Sequence, residues 1–148
     1  MRFQTWKWIA AGSVVVLSAC TSVQVQKLDT TQHAVQEVCI VRNPKVAVSD
    51  MLSVLEGGFM RHGITTRVIG NPEAFKDSCP YTLEYTAKRS WDLAPYLTFA
   101  ELKLRKDGQA IAMATYRHSG GFALNKWAST ETKLGPVIDD LLKDVNPR

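Results

Sequence analysis

The chain has 148 residues, of which 45% are hydrophobic and 22% are charged, and its formal net charge at pH 7 is +4. Its length is that of one globular domain, and its composition excludes a disordered or low-complexity chain. The basic residues form no stripe or run, so the mild positive charge does not indicate a nucleic-acid partner.

The first 19 residues have the pattern of a secretory signal. Arg2 and Lys7 give a short positive start without an acidic residue, and residues 8–17 are apolar. This apolar run is shorter than the ~20 residues that a membrane-spanning helix needs. It matches the ~7–15 residues of a signal hydrophobic region, so we predict that residues 1–19 are a signal peptide.

The signal ends in Leu17-Ser18-Ala19-Cys20, which resembles the lipobox of bacterial lipoproteins. The resemblance implies that the Cys20 thiol receives diacylglycerol, that cleavage falls between Ala19 and Cys20, and that the new amino group is acylated, for example by palmitate. Several acyl chains would anchor the protein stably, because one chain alone binds a membrane only marginally. No Asp follows the cysteine, which by the same resemblance favours the outer membrane, facing the periplasm. An ordinary cleaved signal or a short buried helix remains an alternative.

Without residues 1–19 the chain keeps 16 of its 18 basic residues and all 14 acidic ones, a formal charge of +2. This near-neutral charge argues against nucleic acid as a partner. If Cys20 carries lipid, Cys39 and Cys79 remain as a pair in an oxidising compartment, and we predict a disulfide between them. The alternative is two buried, unpaired thiols. No Cys/His cluster has metal-ligand spacing, so we predict neither a metal site nor a cofactor.

The elements follow in order along the rest of the chain. Residues 20–34 are polar and predict a lipidated cysteine followed by a flexible tether. Residues 35–148 predict a single folded domain that opens with a strand at 35–42, which is rich in β-branched residues. A helix over 46–62 carries an apolar stripe and ends in cations before a glycine. The pair Gly57-Gly58 either ends this helix early or allows close packing on a sheet.

Four further strands are predicted at 64–69, 81–91, 97–105 and 110–117. Asp107-Gly108, between the last two strands, is the strongest hairpin signal in the chain. The last helix is predicted to begin between residues 130 and 136, with Pro136 in its first turn, since an interior proline costs about 3 kcal/mol.

The resulting order is β-α-β-β-β-β-α. Long antiparallel strands with two helices on one face predict an α+β, two-layer sandwich. The order is similar to that of small periplasmic lipoproteins such as the lipopolysaccharide-assembly lipoprotein. The similarity is one of topology and lipobox, and no site residue is transferred from it.

One group of residues suggests a binding surface. Trp91, Tyr96, Leu97 and Phe99 cluster around two predicted strands, and Leu97 and Phe99 are out of phase with the core-facing positions. If the second face of the sheet is uncovered, they form an apolar patch that would bind a partner. The alternative is that they are core. We expect Trp127 to be a core anchor before the last helix.

The sequence predicts no catalytic residue. Ser119 adjoins His118, but neighbouring residues do not face each other productively, and no GxSxG motif is present. The predicted function is therefore that of a membrane-anchored periplasmic lipoprotein, an interaction or assembly accessory protein of the cell envelope with an envelope-protein partner. The alternative is a lipoprotein that binds a small ligand or lipid in a cavity between helices and sheet.

Overall fold

The computed structural model of the chain describes residues 21–119 and 125–145. These residues form six strands, two α-helices and one short 3₁₀ helix. Their bounds are β1 Thr21–Gln26, β2 Glu37–Val41, α1 Met51–Arg61, β3 Thr65–Ile69, the 3₁₀ helix Glu73–Phe75, β4 Tyr81–Asp92, β5 Ala94–Lys106, β6 Gln109–His118 and α2 Thr130–Leu141.

All six strands belong to one sheet in the order β1-β6-β5-β4-β2-β3. The pairs β1–β6, β5–β6 and β4–β5 are antiparallel, whereas β2 runs parallel to both β3 and β4. Both helices pack on one face of this sheet and on each other. The predicted α+β two-layer sandwich with a mostly antiparallel sheet is confirmed.

The core lies between the helices and the sheet. Alternate residues of the central strands point into it, which follows from the two-residue period of a strand. The side chains that are almost completely buried there include Ile40, Leu55, Phe59, Leu83, Leu102, Leu104, Leu134, Ile138 and Leu141.

The two helices approach closely at Gly58 of α1. A Cβ atom on this glycine would lie 2.7 Å from Cδ1 and 2.9 Å from Cγ2 of Ile138 in α2. A Cβ atom on Gly57 would meet no atom within 4 Å. The glycine pair therefore neither ends the helix nor faces the sheet: Gly58 permits the contact between α1 and α2.

The predicted tether over residues 20–34 is wrong for the residues after Cys20. Thr21–Gln26 is the edge strand β1, and Leu28 is buried, with its N–H donating to the carbonyl of Leu141 at 3.0 Å. Val25 packs against the core while the polar residues of the strand face solvent. An edge strand needs only one apolar face, so polar composition alone does not exclude one.

Pro136 lies inside α2, in the second turn rather than the first. The helix begins earlier because Ser129 caps it, with its hydroxyl oxygen accepting the N–H of Thr132 at 3.1 Å. The proline ring is exposed. Burial of the apolar face of α2 against the core offsets the cost of about 3 kcal/mol of an interior proline.

Two hairpins join the long strands. Between β5 and β6, Asp107 and Gly108 both have positive φ, 50° and 84°, as the predicted turn requires. Between β4 and β5, Asp92 pairs with Ala94 across Leu93 alone, whose φ is 60°. A bulky residue with positive φ is an outlier, so this turn is locally strained.

Candidate functional site

The predicted lipidation residue Cys20 and the predicted cleavage site between Ala19 and Cys20 lie outside the described residues. The first described residue, Thr21, pairs with His118 at the end of β6. Its hydroxyl group is 3.0 Å from Nδ1 of that histidine. Thr21, the residue that follows Cys20 in the sequence, therefore lies at the end of the sheet where β6 finishes. No helix among the described residues is long and apolar enough to cross a membrane.

Cys39 and Cys79 form the predicted disulfide, with their Cα atoms 6.0 Å apart. It joins β2 to the segment between the 3₁₀ helix and β4, and Ile69 and Phe75 pack around it. Both cysteines are buried, on the side of β2 that faces away from the helices. The bridge closes a loop of 40 residues that contains α1 and β3, and its buried position is that of a disulfide that stabilises the fold.

The four residues predicted as one binding patch occupy different environments. Trp91 is 72% exposed, near the tip of the β4–β5 hairpin. Tyr96 and Leu97 are buried, so the prediction that they are surface residues is wrong. Phe99 is half-buried on the face of the sheet that carries no helix. The structure does not assemble these side chains into one apolar patch.

A β-bulge in β5 separates them. Lys88 pairs with Phe99 and Arg89 with Leu97, so Thr98 has no partner of its own in the register, and its hydroxyl donates to the carbonyl of Lys88 at 3.1 Å. An extra residue reverses the in–out alternation. Leu97 consequently points into the core while Phe99 points out.

Phe99 lies in the middle of a row of cations on this open face. Lys88 and Arg117 flank it on the neighbouring strands, with Nζ 5.8 Å and Cζ 5.1 Å from the ring centroid. Both distances are within the range of cation–π attraction. Glu101 and Lys103, the next outward positions of β5, form an ion pair at 2.7 Å. This part of the open face is therefore a mixed polar surface around one aromatic ring rather than an apolar one.

A buried cationic cluster lies at the end of the sheet beside Thr21. His118, Lys126 and Lys133 are only 4%, 6% and 8% exposed, and they surround Tyr96. Lys126 pairs with the carboxylate of Asp92. Lys133 donates to the backbone carbonyls of Leu97, at 3.3 Å, and of Lys126.

The cluster shifts the pKa values of its members. Burial lowers the pKa of His118 below its ordinary value, and the charges of Lys133 and Lys126 lower it further. Burial likewise lowers the pKa of Lys133, whereas the hydrogen bond to Asp92 raises the pKa of Lys126. The lowered pKa favours the neutral form of His118. Its Nε2 atom is buried and has no hydrogen-bond partner among the described residues.

Trp127 is not the predicted core anchor, because it is 45% exposed. Its indole N–H donates to the carbonyl of Asp92 at 2.8 Å, which joins the turn before α2 to the β4–β5 hairpin. Sequence periodicity carries no signal for this contact, since the two residues are 35 positions apart, Asp92 at the end of β4 and Trp127 in a turn.

A cleft of about 550 Å³ opens at the opposite end of the molecule. His33 and Gln36, His62 at the end of α1, and Asp144 beyond α2 line it. His62 Nε2 is 3.0 Å from a carboxylate oxygen of Asp139, so this histidine links the C-terminal end of α1 to α2. The part of the chain that the structure describes contains no group of three or more His, Cys, Asp or Glu residues arranged to hold a metal ion.

Comparison with known proteins gives a fold and no family. No family model matches the chain, and no curated protein matches it in sequence. The PelC dodecamer from Paraburkholderia phytofirmans is similar in structure, with a TM-score of 0.59 and 12% identity over 87% of this chain and 99% of that one. A PelC variant from the same organism, with one leucine-to-methionine substitution, is also similar in structure. Its TM-score is 0.56 and its sequence identity is 14%, over 81% of this chain and 97% of that one. The chain shares its fold with PelC. At these identities the likeness extends to the fold alone.

Proposed function

We propose that the protein is a lipid-anchored, periplasm-facing outer-membrane lipoprotein that acts without catalysis, by associating with other envelope proteins or with further copies of itself. The observation that carries this proposal is Leu17-Ser18-Ala19-Cys20 standing directly before an edge strand. Acylated Cys20 would attach the folded domain to the bilayer without a spanning helix.

The open face of the sheet supports an interaction role. Both helices cover the other face, which leaves the Lys88–Phe99–Arg117 row and the Glu101–Lys103 pair facing away from the core. Aromatic and arginine side chains are the types enriched in protein interfaces. PelC, which has this fold, is described as a dodecamer, and this favours self-association as one form of the proposed role.

The anchor is tested with Cys20→Ser and cell fractionation. We expect wild-type protein in the envelope fraction at its processed size, labelled by a palmitate analogue, and the variant unlabelled and unprocessed. A variant that still sediments with the envelope at the processed size would contradict the lipid anchor.

The interaction surface is tested in detergent-solubilised membranes. Phe99→Glu and Arg117→Glu alter the open face, and Lys143→Glu, which is exposed after α2, is the matched control. We expect the first two to reduce the mass of the native complex and the co-purified protein, and the control to retain both. Unchanged complexes in all three variants would show that the open face is not the interface.

A second candidate function, binding of a small ligand, is favoured by the cleft at the opposite end. Its volume of about 550 Å³ is within the range of ligand sites, and Nδ1 of His33 is buried there without a hydrogen-bond partner among the described residues. The cleft lies at the end of the layers, whereas the space between them is filled by core side chains. Extraction of purified protein followed by mass spectrometry tests this candidate. A co-purified small molecule lost in His33→Ala would support it, and its absence would refute it.

A further inference from the structure

Three of the five large apolar side chains that are exposed among the described residues lie close together. Trp91, Leu93 and Trp127 are 72%, 85% and 45% exposed. The carbonyl group between the first two, that of Asp92, accepts the indole N–H of Trp127 at 2.8 Å. All three therefore belong to one projecting tip, formed by the β4–β5 turn and the turn before α2. The last five residues of β4 are all exposed, so the tip extends beyond the core.

The tip lies at the same end of the sheet as Thr21, the residue that follows Cys20 in the sequence. Thr21 pairs with His118, whose ring is 5.9 Å from that of Tyr96 at the base of the hairpin. Leu93 is four residues beyond Leu97, about 13 Å further along the strand direction at 3.3 Å per residue. Acyl chains on Cys20 would enter a bilayer at this end with no linker between, and the tip would reach that bilayer before the rest of the domain.

The charges around the tip fit a bilayer with anionic lipids. Lys88 and Arg89 are exposed on β4, three and two residues before Trp91. The Asp92 carboxylate is already paired with Lys126, so it does not offset these cations. Each Lys or Arg near an anionic membrane surface strengthens binding, and Trp is enriched where membranes meet water.

The turn itself is unfavourable in water on two counts. Leu93 has a φ of 60°, a conformation that suits glycine, and it exposes 85% of an apolar side chain. Strained, exposed positions of this kind mark functional sites. A leucine at this turn is explained if its side chain has an apolar environment to enter.

We propose that the tip formed by Trp91, Leu93 and Trp127 inserts into the interfacial layer of the anionic phospholipid bilayer that holds the lipid anchor. The inference rests on the proposed lipidation of Cys20. Insertion fixes the orientation of the domain, with the hairpin directed into the membrane, the strands directed towards it and the cleft directed away. The tip and the anchor then act together, as two signals do in stable membrane attachment.

Intrinsic fluorescence tests this directly. The four tryptophans of the sequence are Trp6, Trp8, Trp91 and Trp127, so signal removal leaves only the two at the tip. Lipidated mature protein would be reconstituted in phosphatidylethanolamine–phosphatidylglycerol vesicles with and without brominated acyl chains. We expect emission shifted to shorter wavelength relative to free tryptophan in water, and quenching by bromine near the headgroups.

Leu93→Glu is expected to reduce this quenching, and Met60→Glu is the control, since Met60 is 69% exposed at the other end of the molecule. In protein that lacks residues 1–19 and carries Cys20→Ser, and so has neither signal nor lipid, Leu93→Glu should lower vesicle binding about tenfold, the order expected for a charge in place of an interfacial leucine. Unquenched, solvent-like emission from protein that floats with the vesicles would overturn tip insertion and leave the anchor standing. Failure of the wild-type protein to acquire lipid would instead refute the proposed function.

Discussion

The contact between Gly58 and Ile138 makes a quantitative prediction about stability. In Gly58→Ala the new Cβ would lie 2.7 Å and 2.9 Å from two carbons of Ile138, a side chain that is fully buried. Cδ1 is a chain end that can move, but Cγ2 is fixed to the β-carbon, so α2 must shift or the Ile138 rotamer must change. Overpacking of this kind costs about 1–3 kcal/mol.

An opposing effect must be subtracted. Alanine is favoured over glycine inside a helix by about 1 kcal/mol. We therefore expect Gly58→Ala to lower the free energy of unfolding by zero to about 2 kcal/mol. Gly57→Ala, with nothing within 4 Å of the new Cβ, should raise it by up to about 1 kcal/mol. The difference between the two variants isolates the steric cost.

Urea unfolding of the mature protein, followed by circular dichroism, measures both variants. Ile138→Val removes Cδ1, so the cost of Gly58→Ala should be smaller in that background, and the double-mutant cycle should show coupling. If Gly58→Ala stabilises the protein as much as Gly57→Ala does, the close approach of α1 and α2 at this position is refuted.

Three further predictions concern other parts of the molecule. Reducing the Cys39–Cys79 bridge, or replacing both cysteines by alanine, should lower stability by about 4 kcal/mol, since it opens a 40-residue loop; urea midpoints that do not change on reduction would contradict a disulfide. The burial-lowered pKa of His118 means that the unfolded chain binds a proton below its ordinary pKa of 6.5 while the folded chain resists it. Stability should accordingly be constant above that pH and fall as the pH drops below it, and His118→Asn should remove this dependence in melts across pH 5–8. Leu93→Gly should relieve the positive φ and stabilise the domain in water by about 1 kcal/mol, and a loss of stability would show that the leucine side chain supports the folded hairpin.

The pattern of the sequence is sufficient for most of the fold. The sequence predicted β2 to β6, with β-branched composition indicating β2 and period-two alternation indicating β4 and β5; the apolar stripe predicted α1, and Asp107-Gly108 predicted the turn between β5 and β6. These elements depend on local residue types that agree with their surroundings. The disulfide was also predictable, because reserving Cys20 for lipid leaves one pair.

The structure differs from the sequence predictions where tertiary contacts determine the local structure. A threonine at position 98 does not by itself predict a bulge, yet the bulge places Leu97 in the core and Phe99 on the opposite face. Polar β1 becomes a strand only because β6 provides an edge with which it pairs. Trp127 is held at the surface by one backbone carbonyl, a contact between distant segments that periodicity does not encode.

The antiparallel pairing of β1 with β6 has a mechanical consequence. If residue 20 is held in a membrane, any force that pulls the domain away enters the sheet at Thr21, the first residue of an outermost strand. With the strands directed towards the membrane, this load acts along β1 and shears its ladder with β6, so the six residue pairs from Thr21–His118 to Gln26–Met113 bear it together. Resistance to detachment would then depend on the whole ladder between β1 and β6.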